Sequence, residues 1–164
     1  MRLVADASAL VGELLRARGR QLLLHPALQL YVPEGTWDET VHELRSRTDA
    51  MVGHGRLSRT AADELVAAAV ALVETAVVIV PEDVYAAVRG RAVKRLPRDP
   101  DDWPNVALAM VLDAGIWTAD ADFLGSASQS GRQTHSWRSS SHEGDAVPAR
   151  VLASPSSSEL GRQR

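Results

Sequence analysis

Cysteine is absent from the 164-residue chain. A disulfide scaffold, a cysteine nucleophile, a thiolate zinc site and a thiolate-held iron–sulfur cluster are therefore excluded. Lysine is nearly absent: Lys94 stands alone among 18 basic residues. The remaining cations are arginines, a bias read as a trace of codon usage, although their planar forks also suit phosphate. No apolar run approaches the ~20 residues needed to span a bilayer. The start, Met1-Arg2-Leu3-Val4-Ala5-Asp6, brings an acid too early for the apolar region of a signal peptide. A soluble, cytoplasmic protein with no membrane association is expected. No GxGxxG, GxxxxGK[ST] or GxSxG pattern occurs, which removes support for a nucleotide-binding loop or a serine hydrolase elbow. His25, His42, His54, His135 and His142 show neither HxH nor HExxH spacing and are expected in loops or on the surface.

What is present has an ordinary globular balance: 45% hydrophobic and 24% charged residues, with a net charge of −3. The length suits one domain with a sizeable core. Short apolar runs alternate with helical patterns. Strands are expected at Arg2–Ala5, Leu28–Val32, Ala76–Val80 and Gly115–Thr118. After the first strand, Leu10, Val11, Leu14 and Leu15 recur at helical spacing, with Ser8 as a candidate cap and Arg16–Arg20 with Gly19 as the close. Gln21–His25 suggests a short second helix. A longer helix is expected from about Thr36 to Asp49, with Trp37, Val41 and Leu44 on one stripe. Ser58 suits the N-cap of a helix over Arg59–Glu74. Further helices are expected over roughly Asp83–Arg95 and from Asp101 or Asp102 to Leu112. This alternation indicates an α/β domain with a mostly parallel central sheet, flanked by helices on both faces.

The C-terminal segment differs in kind. Eleven of the last 40 residues are serine, and large apolar residues are sparse. The expected division is a domain over residues 1–125 and a disordered or irregular Ser-rich tail over 126–164.

Sites in open parallel sheets form at the carboxyl ends of strands. Asp6 closes the first strand, and Asp120 follows Gly115–Thr118 with Asp122 next on the same side. Asp101 and Asp102 open the helix leading into that strand, so they too belong near the carboxyl edge. Carboxylates gathered there repel one another unless a cation sits among them. An all-oxygen set suits Mg²⁺ or Mn²⁺. Phosphodiester hydrolysis is the chemistry such a site serves. Taken singly, each acid has a plainer role. Asp6, Asp99 or Asp101 can cap a helix, Asp122 can cap the turn at Phe123, and Glu39 or Glu43 can be a solvated helix residue. Their joint placement carries the argument. Arg89, Arg91, Lys94, Arg95 and Arg98 form the only dense basic run in the body of the chain. It suits either a solvated helix face or a hold on a nucleic-acid backbone.

The chain resembles the PIN-domain family, which includes VapC-type toxin ribonucleases and related metal-dependent nucleases. The resemblance rests on Val4-Ala5-Asp6-Ala7-Ser8, on Val32-Pro33-Glu34-Gly35-Thr36-Trp37-Asp38-Glu39, on Asp99-Pro100-Asp101-Asp102-Trp103-Pro104-Asn105-Val106-Ala107-Leu108-Ala109 and on Trp117-Thr118-Ala119-Asp120-Ala121-Asp122-Phe123. It implies that Asp6, Glu39, Asp102 and Asp120 are the metal-binding acids, with Asp122 assisting. Glu43 and Asp101 are the alternatives to Glu39 and Asp102. Ser8 and Thr118 match hydroxyl positions lining the site. It further implies Mg²⁺- or Mn²⁺-dependent cleavage of RNA, a partner antitoxin and a homodimer. The departure is after the D-F motif, where the family's last short strand has no regular counterpart. The competing functions are a non-catalytic RNA- or partner-binding module on the same fold, and a phosphoryl-accepting receiver. The intact acid set disfavours the first, and the position of Lys94 on a helix disfavours the second.

Overall fold

The computed structural model describes residues 1–96, 99–119 and 150–152. The chain begins with β1 (Arg2–Ala5), α1 (Ala7–Leu14) and α2 (Ala17–Leu23). Next come β2 (Gln29–Pro33), α3 (Glu34–Gly53), α4 (Arg59–Ala76) and β3 (Val77–Val80). Then follow α5 (Arg89–Val93), α6 (Trp103–Leu112), β4 (Gly115–Thr118) and β5 (Arg150–Leu152). The strand order is β3-β2-β1-β4-β5. The first four strands are mutually parallel, and β5 runs antiparallel to β4.

Alternation along each strand separates two cores. Leu3, Ala5, Leu30, Val32 and Trp117 pack with α1, α3 and α4 on one face. Val4 and Ile116 pack with Tyr85, Ala92 and the buried residues of α6 on the other. The expected parallel sheet with helices on both faces is therefore the observed architecture. No helix among the described residues is long and apolar enough to cross a membrane.

Several local expectations change. Arg16–Arg20 does not close α1 but opens α2. The chain can turn back there because Gly19 lies against α1: a Cβ on it would collide with the Glu13 carbonyl oxygen. Ser8 is not a cap, since the capping position is Asp6 and Ser8 lies inside α1. Ser58 does cap α4, accepting from the Ala61 N–H at 3.1 Å. The helix expected over Asp83–Arg95 is two 3₁₀ turns, Glu82–Val84 and Ala86–Val88, followed by α5. Tyr85 interrupts it by leaving helical φ/ψ (−122°, −4°), and its side chain is buried in the α6 core. Its ring centroid lies 5.6 Å from that of Trp103.

The buried side of α3 is Thr36, Thr40, Leu44 and Thr48, with Trp37 and Val41 half-buried. Threonine can line this face because its hydroxyl has a local partner. Thr40 donates to the Thr36 carbonyl at 2.7 Å, and Thr48 to the Leu44 carbonyl at 3.0 Å. The tail contributes Arg150–Leu152 as an edge strand, where the sequence pattern suggested nothing regular. Three residues are too short a run to show a period.

Candidate active site

A parallel sheet has its crevice where successive connections leave a strand in opposite directions. Here β1 is that strand: β2 and β3 lie on one side of it and β4 on the other. Asp6 follows directly after β1, and its backbone N–H donates to the Trp117 carbonyl of β4 at 2.9 Å. The carboxylate thus sits at the carboxyl edge, at the switch point.

Asp6 is 8% exposed. Its Oδ2 accepts from Ser8 Oγ at 2.7 Å and from Thr118 Oγ1 at 3.1 Å. Its Oδ1 accepts from Asn105 Nδ2 at 3.5 Å. All three donors are neutral, and among the described residues no cation pairs with this carboxylate. Ser8 reaches it because it lies on the first turn of α1, and Thr118 because β4 ends beside β1.

Glu39 lies on the exposed side of α3. Its carboxyl is raised above the ordinary carboxylate range, first by partial burial, then by the charges of Asp6 and Glu43. Asp6, Glu39 and Glu43 are therefore electrostatic neighbours. Glu43, one turn beyond Glu39, is bound by Arg47 of the same helix. That ion pair distinguishes it from Glu39.

Asp102 is half-buried and ends the 3₁₀ turn Pro100–Asp102 at the head of α6. It stands in the capping position of α6, yet its side chain makes no capping hydrogen bond. Asp101 is exposed, and its N–H is taken by the Asp99 carboxylate at 3.3 Å. Asp99 is thus the cap of this turn. Asp120, Asp122 and Arg98 lie outside the described residues. Among the described residues, no group of three or more His, Cys, Asp or Glu side chains is placed to hold a metal ion.

In the basic run, Arg89, Arg91 and Lys94 are exposed and Arg95 is half-buried. Arg89 is not simply solvated: its guanidinium carbon lies 4.9 Å from the ring centroid of Trp103. Trp103 follows Asp102 directly, so the basic run and the head of α6 are joined.

Two polar residues at the site, Asn105 and Thr36, were not singled out by the sequence pattern. Asn105 is 3% exposed and touches both Asp6 and Thr36, whose Oγ1 donates to Asn105 Oδ1 at 3.3 Å. The available signal for Asn105 was its isolation, since Trp103–Leu112 holds no other polar residue apart from the indole N–H.

No curated protein matches the chain. A sequence model described as the PIN domain matches residues 4–139, well over half of its length. That span contains Asp6 at the end of β1, Glu39 on α3, Asp102 before α6 and the parallel sheet that carries them. The protein belongs to the PIN-domain family, whose members are generally nucleases.

Proposed function

We propose that the protein is a divalent-metal-dependent endoribonuclease that hydrolyses RNA phosphodiester bonds. One observation supports it above the others: Asp6 is a buried carboxylate at the switch point whose hydrogen-bond partners among the described residues are all neutral. A buried anion without a cation is costly. The acidic oxygens of Asp6 and its neighbour Glu39 fit a hard divalent ion.

Asp6 and Glu39 would hold the ion, joined by Asp102 from the head of α6 and by Asp120. When bound, Mg²⁺ or Mn²⁺ supplies charge stabilisation at the phosphoryl oxygens and lowers the pKa of coordinated water. The protein's own contribution is placement. Ser8 and Thr118 fix the Asp6 carboxylate through Oδ2. Burial keeps bulk water from competing for it. Arg91, Lys94 and Arg95 offer cations to the RNA backbone beside the head of α6. Hydrolysis adds water to phosphorus and breaks a phosphorus–oxygen ester bond, and the departing oxygen takes up a proton. No side chain becomes covalently attached.

The proposal extends to a toxin role restrained by an antitoxin protein, supported by the VapC-like order of the motifs. Growth arrest on expression, relieved by a co-expressed antitoxin, tests that part. For the chemistry, RNA cleavage is measured with Mn²⁺ or Mg²⁺ and with excess EDTA. Metal-dependent cleavage is expected, and undiminished cleavage in EDTA overturns the proposal. RNA binding without cleavage under any metal would instead favour a non-catalytic binding module.

A further inference from the structure

Asn105 stands where an apolar residue would pack more cheaply. Its neighbours Val106, Ala107, Leu108 and Ala109 are all buried in the α6 core. A buried amide costs free energy unless its polar atoms are satisfied. Both ends of this amide are: Nδ2 faces Asp6 Oδ1 and Oδ1 accepts from Thr36 Oγ1. The result is a buried chain of polar contacts from α3 through α6 to the end of β1.

The chain has a direction. An amide can turn over and exchange its nitrogen and oxygen. Turned over, Asn105 would set its carbonyl oxygen against the Asp6 carboxylate, acceptor against acceptor. The Asp6 carboxylate, which only accepts, opposes this and holds Nδ2, and the Thr36 hydroxyl then satisfies the amide's other end by donating to Oδ1. The Thr36 backbone carbonyl also accepts from Thr40 Oγ1, within the same helix.

Each link also lies one helical turn from an acid. Glu39 is three residues beyond Thr36 on α3. Asp102 is three residues before Asn105, at the head of α6. Residues three apart on a helix are neighbours on its surface. The contact of Thr36 with Asn105, and of Asn105 with Asp6, therefore sets α3 and α6 relative to β1. In doing so it sets Glu39 and Asp102 relative to Asp6.

We propose that Asn105, directed by Asp6 and anchored to α3 by Thr36, is a positioning residue that holds the acids of β1, α3 and α6 in metal-binding register. This rests on the metal-dependent function proposed above. Neither residue touches the reacting atoms. Their work is to fix a carboxylate oxygen and the two helices that bring the other acids.

The test compares wild type with Asn105→Leu, Thr36→Val and Thr36→Ser in the full chain. Mn²⁺ affinity is measured by calorimetry, and metal-free thermal stability by circular dichroism. Removing a supporting hydrogen bond behind a metal ligand characteristically costs roughly 10–100-fold in metal affinity. Asn105→Leu and Thr36→Val are expected to weaken Mn²⁺ binding by about that factor while the proteins remain folded. Thr36→Ser, which restores the hydroxyl, is expected to bind as wild type does. Thr36→Val and Thr36→Ser decide the matter even if Asn105→Leu does not fold. A folded Thr36→Val protein with wild-type Mn²⁺ affinity overturns the inference. So does a Thr36→Ser protein as weak as Thr36→Val, which would assign the effect to packing at this position and not to the hydroxyl. Wild type that binds no Mn²⁺ overturns the metal-dependent function itself, a different result from wild-type binding that the variants leave unchanged.

Discussion

The β1–β4 edge of the site and its α3 flank treat the same chemical group in opposite ways. At the edge, Asp6 is buried and its oxygens are held by two hydroxyls and an amide. On the flank, Glu39 is exposed, and its carboxyl is raised by partial burial and by the like charges of Asp6 and Glu43. Burial with neutral donors fixes geometry and, among the described residues, leaves the charge without a cation. Exposure leaves a side chain free to adjust while water screens its charge. The site therefore has a rigid side and an adaptable side. Changes at the rigid side should act strongly on structure and chemistry. Changes at the adaptable side should act weakly, and mostly through electrostatics.

The largest effect should come from Asp6→Asn. The substitution keeps the size but removes the charge, and places an NH₂ group among donors. Metal-dependent RNA cleavage should fall by more than the roughly 100-fold that removal of a supporting hydrogen bond can cost. Single-turnover cleavage of a labelled RNA measures it. Activity within about tenfold of wild type, the low end of that range, would show that the buried carboxylate is not the centre of the chemistry.

Next in size is removal of the chain from Arg150 onward. This strips β5 from β4 and opens the sheet edge, beginning at the Thr118–Arg150 pair. A ladder of a few bonds, at a net ~1 kcal/mol each, should lower stability by roughly 1–3 kcal/mol. Urea unfolding followed by fluorescence of the tryptophans checks this. An unchanged midpoint would mean that the strand contributes nothing to the rigid side.

The exposed cations at α5, outside the rigid side, should answer differently. Arg91→Ala with Lys94→Ala removes two exposed cations and leaves Arg89 stacked over Trp103. Removing one phosphate contact reduces the log–log salt dependence of RNA affinity by about one. A slope flatter by about two is expected, with stability unchanged. A slope equal to that of wild type would make this run a solvated helix face only.

The same contrast explains what could be read in advance. Apolar runs such as Leu3–Ala5 and Ile116–Trp117 read as strands because both of their faces are buried. Asp6 was legible because a carboxylate closing a buried strand is conspicuous, and parallel sheets put sites there. Thr36 and Asn105 were not legible. Threonine near a helix start reads as local capping chemistry, and one asparagine in an apolar helix has no period. Their meaning comes from contacts across 69 and 99 residues of chain, which only the folded topology supplies. The break at Tyr85 was hidden for a related reason: the alanines and arginines around it favour helix, and burial of one ring overrides them. β5 was hidden by its brevity within a Ser-rich segment.

The smallest effect expected is that of Glu39→Gln in protein freed of metal, and its sign is its value. Burial and the charges of Asp6 and Glu43 raise the Glu39 carboxyl above 4.5 in the folded protein. The unfolded chain, lacking these neighbours, releases its proton at lower pH. Between the two values the folded state binds more protons, so stability falls as pH rises through that window. Above the window the ionised side chain costs stability, and below 4.5 the cost is gone. Glu39→Gln should therefore melt slightly higher than wild type at about pH 7, with the gap closing as pH drops into the carboxylate range. The gap should be small because Glu39 is exposed, and smaller still in high salt. Added Mn²⁺ should reverse the order, since a cation turns the ionised carboxylate from a liability into a ligand and binding stabilises the folded state. Thermal melts of both proteins, at about pH 4 and pH 7 and with or without Mn²⁺, read all of this. A Glu39→Gln protein that gains as much from Mn²⁺ as wild type does would remove Glu39 from the site and leave Glu43, one turn along α3, as the acid to test.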